Sequence, residues 1–180
     1  MLLDAVRLIE TEPASSSLWT QTDRDGFRSW IGEMLGWWLC SPNGVLAREI
    51  TNNIGNDYDI QALAMATFVS NASAAAFIVD NDVRGRVDLQ INGSGMMPKE
   101  DARSNSFGYH IGNMNDFLTL ALLANESSSL ARAAGVAVDR VDLLHFVGKQ
   151  GGSVHTAVEW LVPICQANAT VRTSHVASAP

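Results

Sequence analysis

Cysteine, tyrosine and positive charge are what this chain has least of. Its two cysteines, Cys40 and Cys165, stand far apart without metal-ligand spacing. They read as buried thiols, with one disulfide as the lesser alternative. Lys and Arg number 12 against 19 Asp and Glu, a formal charge of -7. That balance argues against a nucleic-acid partner, which calls for a basic face, and gives no long-range attraction for a polyanion. An anionic ligand must then be held by a few local cations, because charges beyond roughly 8 Å are screened at physiological salt. No apolar run approaches the roughly 20 residues of a membrane span, and Met1-Leu2-Leu3-Asp4 lacks a charged n-region followed by an h-region. The chain as given is expected to be soluble, with no membrane partner and no signal peptide.

Metal and phosphate signatures are missing too. His110, His145, His155 and His175 lack zincin spacing, and Asp80, Asp82 and Asp88 lack the EF-hand pattern. There is no phosphate loop and no GxSxG, so no metal and no cofactor is expected. Sustained β alternation is also absent, which predicts an all-α chain of helix pairs joined by loops. Short loops between successive helices favour antiparallel hairpins.

What is present is a globular composition, 47% hydrophobic and 17% charged over 180 residues, enough for one domain with a core. Residues 1 to 22 read as an N-terminal helix and loop, 23 to 166 as a helical domain, and 167 to 180 as a flexible tail. The first helix places Leu2, Leu3, Val6 and Ile9 or Leu8 on one side and ends near Pro13. A second starts at Asp23 or Asp25 and carries Phe27, Trp30, Ile31, Met34, Leu35, Trp38 and Leu39 at three- and four-residue spacing, a core stripe. Ser41-Pro42-Asn43-Gly44 stops it, and Val45 to Ile50 is a helical turn or linker. Gly55 and Asn56 break the backbone, and Asn56 or Asp57 caps the buried helix that follows, apolar nearly all round. Further helices are expected from Ala72 to Leu89, Ser106 to Ala124, about Ser128 to Ala134, and from Ser153 to Pro163. Four Asn-x-Ser/Thr triplets, at Asn71, Asn92, Asn125 and Asn168, lean toward a secretory history.

Two polar clusters stand out. The first is Thr51-Asn52-Asn53-Ile54-Gly55-Asn56-Asp57-Tyr58-Asp59-Ile60-Gln61, directly before a long apolar run. Polar density of this kind beside a buried helix is costly unless the groups are satisfied or used. The second is Lys99-Glu100-Asp101-Ala102-Arg103-Ser104-Asn105-Ser106-Phe107-Gly108-Tyr109. Asn52 and Asn53 precede a helix N-terminus, where free N–H groups favour an anion, and Arg103 offers a planar guanidinium suited to a carboxylate. Tyr109 offers a phenol, whose ionised form a nearby guanidinium favours. Donors for a carboxylate beside a phenol suit β-elimination from a uronic acid, in which an enolate-like charge develops and the departing oxygen must be protonated. Arg103 and Tyr109 lie about 240° apart on an ideal helix, so Arg103 must stand in the preceding loop and reach over. Tyr109 lies about 200° from Phe107 and shares a polar side with Asn113 and Asp116. Asparagine and aspartate clusters before helices also serve simply as caps and turns.

Residues 52 to 61 resemble the Asn-Asn-His-Gly-x-x-Tyr-Asp-x-Gln signature of the alginate lyase family of polysaccharide lyases. Ala102 to Tyr109 resembles its Ala-Arg-x-Arg-Ser-Phe-His-Tyr. Trp30, Leu35, Trp38, Ser41 to Gly44 and Ala157 to Pro163 extend the likeness over roughly residues 25 to 165. The resemblance implies helical hairpins forming part of an (α/α) toroid, an incomplete ring given the chain's length, and metal-independent β-elimination of an anionic polysaccharide such as alginate or glucuronan. It maps the catalytic set onto Asn53, Arg103 and Tyr109, with Asn52, Tyr58, Asn105 and His110 as substrate-binding candidates. It also implies an extracellular or periplasmic location. The sequence does not fix the oligomeric state, for which a monomer is the expectation. Three departures from the signature matter: Ile54 stands in the histidine position, Asn105 in that of the second arginine, and Gly108 in that of the histidine before tyrosine. They leave a second reading open, a lyase-like carbohydrate-binding protein without turnover.

Overall fold

The computed structural model describes residues 2–11, 18–139 and 141–177, with side chains described as far as residue 167. Among the described residues every regular element is helical, and an isolated bridge between Asn92 and Gly151 is the β pairing found. Helix α1 spans Leu2–Thr11, with Val6 its buried residue and Leu2, Leu8 and Ile9 exposed, so the expected apolar side is mostly uncovered. Pro13 lies outside the described residues.

Helix α2 spans Gln21–Cys40. It begins earlier than Asp23 because Thr20 and Asp23 form a reciprocal capping box: the Thr20 hydroxyl accepts from the Asp23 N–H, and the Asp23 carboxylate accepts from the Thr20 N–H at 2.9 Å. Of its expected core stripe, Ile31 and Leu35 are buried, while Trp30 and Met34 are exposed. Ser41 closes α2 and caps α3, Pro42–Glu49, accepting from the Gly44 N–H at 3.0 Å with Pro42 at the first helical position.

Helix α4, Asn53–Phe68, is the axis of the molecule, touching α2, α3, α5 and α8. It starts at Asn53 and not just after Asn56 or Asp57, because Asn52 is its cap: the Asn52 side-chain oxygen accepts from the Ile54 N–H at 3.0 Å. Gly55 and Asn56 therefore lie inside the helix. A Cβ on Gly55 would fall 2.0 Å from the Ile50 carbonyl oxygen and 2.3 Å from the Arg86 guanidinium. The glycine marks a close approach, not a break.

Asn71 caps α5, Ala72–Ile78, which passes through a π-helical segment, Val79–Val83, into α6, Arg84–Gln90. A short α7, Pro98–Asp101, precedes α8, Ser106–Ala133. The expected break before Ser128 does not occur. Ser127 is fully buried and its hydroxyl pairs with that of Thr67 on α4 at 3.0 Å, and Ser129 donates to the Asn125 carbonyl, so these two serines are spent within one continuous helix, while the buried Ser128 hydroxyl has no hydrogen-bond partner. Ser153 caps the last helix, α9, Val154–Ala177, accepting from the Thr156 N–H at 3.0 Å. Pro163 sits inside α9 rather than ending it, and the helix takes in residues 167–177 of the expected tail.

Two apolar clusters flank α4. The larger gathers Tyr58, Leu63, Ile78, Val87, Phe117 and Leu120, the smaller Ile31, Leu35, Met65 and Phe68. Each fully buried large side chain contributes about 1.5–3 kcal/mol. Three of the four glycosylation triplets have structural uses. Asn71 caps α5, the Asn92 side-chain oxygen accepts from Ser94 and Met96, and the triplet at Asn125 ends on buried Ser127.

Candidate active site

The two polar clusters meet where the N-terminus of α4 faces the first turns of α8. Behind them a buried network fixes the helices. Asn56 donates to the Asn113 side-chain oxygen at 2.7 Å, Asn113 donates to Gln90 at 2.9 Å, and Gln90 donates back to Asn56 at 2.8 Å. All three are at most 3% exposed. Closed satisfaction of this kind lets buried amides specify one packing, where an open partner would be costly. Gln90 also donates to the Asn52 carbonyl at 3.2 Å, and buried Arg86 donates to the Ile50 carbonyl at 2.8 Å. Arg86 forms a bidentate pair with Asp59, 2.7 and 2.8 Å, in which burial pushes Asp59 up to about 6 against the pull of the guanidinium. Most of the first cluster is thus structural.

What remains opens onto a cavity of about 400 Å³ lined by Asn53, Ser104, Asn105, Gly108, Tyr109, Gly112, Asn113 and Asp116. Tyr109, Gly112, Asn113 and Asp116 form one face of α8 at three- and four-residue spacing. Gly112 has nothing within 4 Å of where a Cβ would stand, so the floor between Tyr109 and Asp116 is left open. The side-chain oxygen of Asn53 is buried without a hydrogen-bond partner.

Arg103 stands in the turn between α7 and α8, as its spacing from Tyr109 requires. Its guanidinium carbon lies over the Tyr109 ring, 3.9 Å from the centroid. Its one ionic contact among the described residues is with Glu100, 4.0 Å away, and its guanidinium donates no hydrogen bond to them, leaving those donors for a ligand. Glu100 joins the two halves of the site. It is 1% exposed and accepts the Asn53 backbone N–H at 2.8 Å with one oxygen, while the other has no hydrogen-bond partner. Asp116, at the other end of the cavity, is pushed up to about 7, chiefly by burial and then by the charges of Asp57 and Glu100. Neither acid was among the candidates. The signals were Glu100 one turn before Arg103 and Asp116 two turns after Tyr109, on its face.

The structure thus brings Asn53, Arg103, Tyr109 and Asn105 together and separates the others. Asn52 is the α4 cap beside the cleft, its side-chain oxygen already spent. Tyr58 is a correction: it is 1% exposed, stacks on Trp38 at 5.8 Å and donates to the Trp38 carbonyl at 3.1 Å, so it is core and cannot touch a substrate. His110 is a second correction. It is 1% exposed, its Nδ1 pairs with the Ser106 carbonyl at 2.9 Å, and its ring packs against Trp160 of α9. Ile54 is exposed and does not line the cavity, so it leaves the cleft unblocked. The departures at 105 and 108 are coupled: Asn105 caps α8 by accepting from Gly108, and a Cβ on residue 108 would lie 2.4 Å from the Asn105 amide nitrogen.

Known proteins bear on this geometry. The family model for alginate lyase matches residues 1–171. A crystal structure of an alginate lyase from Bacteroides ovatus, at 1.60 Å resolution, matches with a TM-score of 0.71 at 27% sequence identity, covering 89% of this chain and 38% of that one. The chain therefore spans well under half the length of that enzyme. A search of curated proteins gives no match. The expected all-α architecture of helical hairpins from an (α/α) toroid is borne out. On the family match and the fold together, this chain belongs to the alginate lyase family.

Proposed function

We propose that the chain is a polysaccharide lyase that cleaves a uronate polymer of the alginate or glucuronan type by β-elimination. The observation that carries this reading is convergence: Asn53 and Tyr109 line one open cavity, and Arg103, outside that lining, lies over the Tyr109 ring with its guanidinium donors unspent. The uronate carboxylate sits against Arg103 and the Asn53 amide, which neutralise it and stabilise the charge that spreads onto it when the C5 proton leaves. Arg103 takes the neutralising role, so the reading invokes no metal ion. Tyr109 as phenolate takes the C5 proton. The C5 electron pair forms the C4–C5 double bond, the C4–O bond breaks, and the phenol proton passes to the departing oxygen. One tyrosine serves both transfers when proton and leaving group share a face, so the missing histidine at position 54 is not needed. A polymeric substrate of this kind places the chain's work outside the cytoplasm. No helix among the described residues is long and apolar enough to cross a membrane.

The test is ultraviolet absorbance of the unsaturated product on incubation with alginate or glucuronan. Wild type is expected to give a signal that Tyr109→Phe loses while still binding the polymer. Wild type silent on every uronan overturns the reading. Ile54, Asn105 and Gly108 motivate the second one, a carbohydrate-binding relative without turnover, whose signature is uronan binding by wild type with no absorbance change.

A further inference from the structure

Glu100 carries more charge than its structural task needs. Its carboxylate, 1% exposed, accepts the Asn53 backbone N–H at 2.8 Å with one oxygen, which holds the first residue of α4 on the cavity wall. A neutral acceptor serves for that bond, and a buried carboxylate is costly unless both oxygens are used. The second oxygen is buried without a hydrogen-bond partner. Lys99, the adjacent cation, is turned to the Thr51 hydroxyl, and the cation that reaches the Glu100 carboxylate among the described residues is Arg103. Its Nη1 stands 4.0 Å from that free oxygen, an ion-pair contact about 1 Å longer than a hydrogen bond. The backbone N–H of Arg103 donates to the Glu100 carbonyl at 3.1 Å, so a single turn ties the two residues together.

We propose that Glu100 is a positioning residue of the lyase: acting on Asn53 with one oxygen and on Arg103 with the other, it sets where the uronate carboxylate stands relative to Tyr109. The proposal rests on the lyase reading. Arg103 does not line the cavity; its guanidinium lies over the ring of Tyr109, 3.9 Å from the centroid, and Tyr109 and Asn53 do line it. A guanidinium carries five donors in a planar fork, so one edge closes onto Glu100 while another takes a carboxylate that enters beside Tyr109. The charge that spreads onto this carboxylate as the C5 proton leaves is best stabilised by donors already in place. Glu100 therefore acts on the chemical step and not on affinity, because its own negative charge adds nothing to the binding of a polyanion.

The experiment takes wild type, Glu100→Gln, Arg103→Lys and the double variant on alginate and glucuronan, with kcat and KM from product absorbance and Tm from thermal denaturation. Glutamine keeps an acceptor for the Asn53 N–H and turns an amide donor toward Arg103, so the helix start is kept and the anchor is lost. Glu100→Gln is expected to lower kcat about tenfold, the size of one hydrogen bond to a charged group, with KM no higher than in wild type and Tm close to it. Arg103→Lys has already lost the planar bridge, so adding Glu100→Gln to it should cost less than about twofold more. A Glu100→Gln kcat within about threefold of wild type, a KM that rises as kcat falls, a clearly lowered Tm, or a full further loss in the lysine background each overturns the proposal, while the lyase reading stands on wild-type turnover. Wild type silent on both polymers overturns the lyase reading, and the proposal falls with it.

Discussion

At the scale of single residues, Arg103 and Glu100 carry different burdens. Arg103 packs over Tyr109 through its planar guanidinium and keeps its donors free. A lysine there loses both the stack and the two-pronged grip on a carboxylate. Arg103→Lys is expected to cost about a hundredfold in kcat/KM on any cleaved uronan, with little change in melting temperature, read by product absorbance and thermal denaturation. Glu100 supports the fold of the site, because its carboxylate accepts the first N–H of α4. Glu100→Ala strands that N–H and is expected to destabilise by about 1–3 kcal/mol, whereas Glu100→Gln keeps an acceptor and loses less, as chemical denaturation would register. Asn53, Arg103 and Tyr109 were named together because their residue types suit one reaction, and the placement of Arg103 in the turn over Tyr109 was legible from their spacing. Tyr58 and His110 were misread for a physical reason: their burial comes from Trp38 and Trp160, which lie on other helices and are brought in only by packing.

Among the elements, α4 and α8 make the cleft, and their glycines have opposite meanings. Gly55 is pressed against the Ile50 carbonyl and Arg86, so a methyl group there must displace backbone or break the Arg86–Asp59 pair. Gly55→Ala is expected to destabilise by about 3 kcal/mol. Gly112 faces open space. Gly112→Ala should stabilise α8 by about 0.5–1 kcal/mol through helix propensity alone, and yet lower kcat/KM by filling the floor between Tyr109 and Asp116. A variant that is more stable and less active separates a cleft from a packing defect, and paired melting and turnover measurements check it. Helix starts at Asn71 and Ser153 were readable from capping residues, which act locally. The true start of α4 was not, because Gly55 and Asn56 look like a turn until Arg86, Gln90 and Asn113 arrive from distant helices to claim them. The run of serines at 127–129 misled in the same way, since the partner that makes Ser127 a helix residue is Thr67, 60 positions earlier.

For the molecule as a whole, helical class and core composition follow from apolar spacing, but the balance of charge on folding does not. The formal charge is -7, and two of the acids titrate well above the ordinary carboxylate range: Asp59 near 6 and Asp116 near 7, both through burial. Each holds its proton more firmly in the folded chain than in the unfolded one, where it ionises near the usual value of about 3.9. The folded state therefore binds more protons between these limits, and stability must fall as pH rises through that window. Asp4, Asp23 and Asp142 are shifted the other way, by the chain's amino terminus, the Thr20 cap and His145 respectively, and what they contribute is lost as pH falls below the ordinary carboxylate range. These three are largely exposed, so their term is small beside the buried pair of acids. Stability should accordingly peak in mildly acidic solution and decline toward pH 8, opposite to the trend of a protein whose carboxylates are held mainly by surface ion pairs. Burial pushes Asp57 up as well, and Asp116→Asn removes one of the groups responsible. Melting temperatures measured from pH 4 to pH 8 are expected to decline for wild type and to flatten above pH 6 in this variant. An equal decline in both proteins would mean that Asp116 is as solvated in the folded chain as in the unfolded one, and that the acidic end of the cleft exerts no field on what binds there.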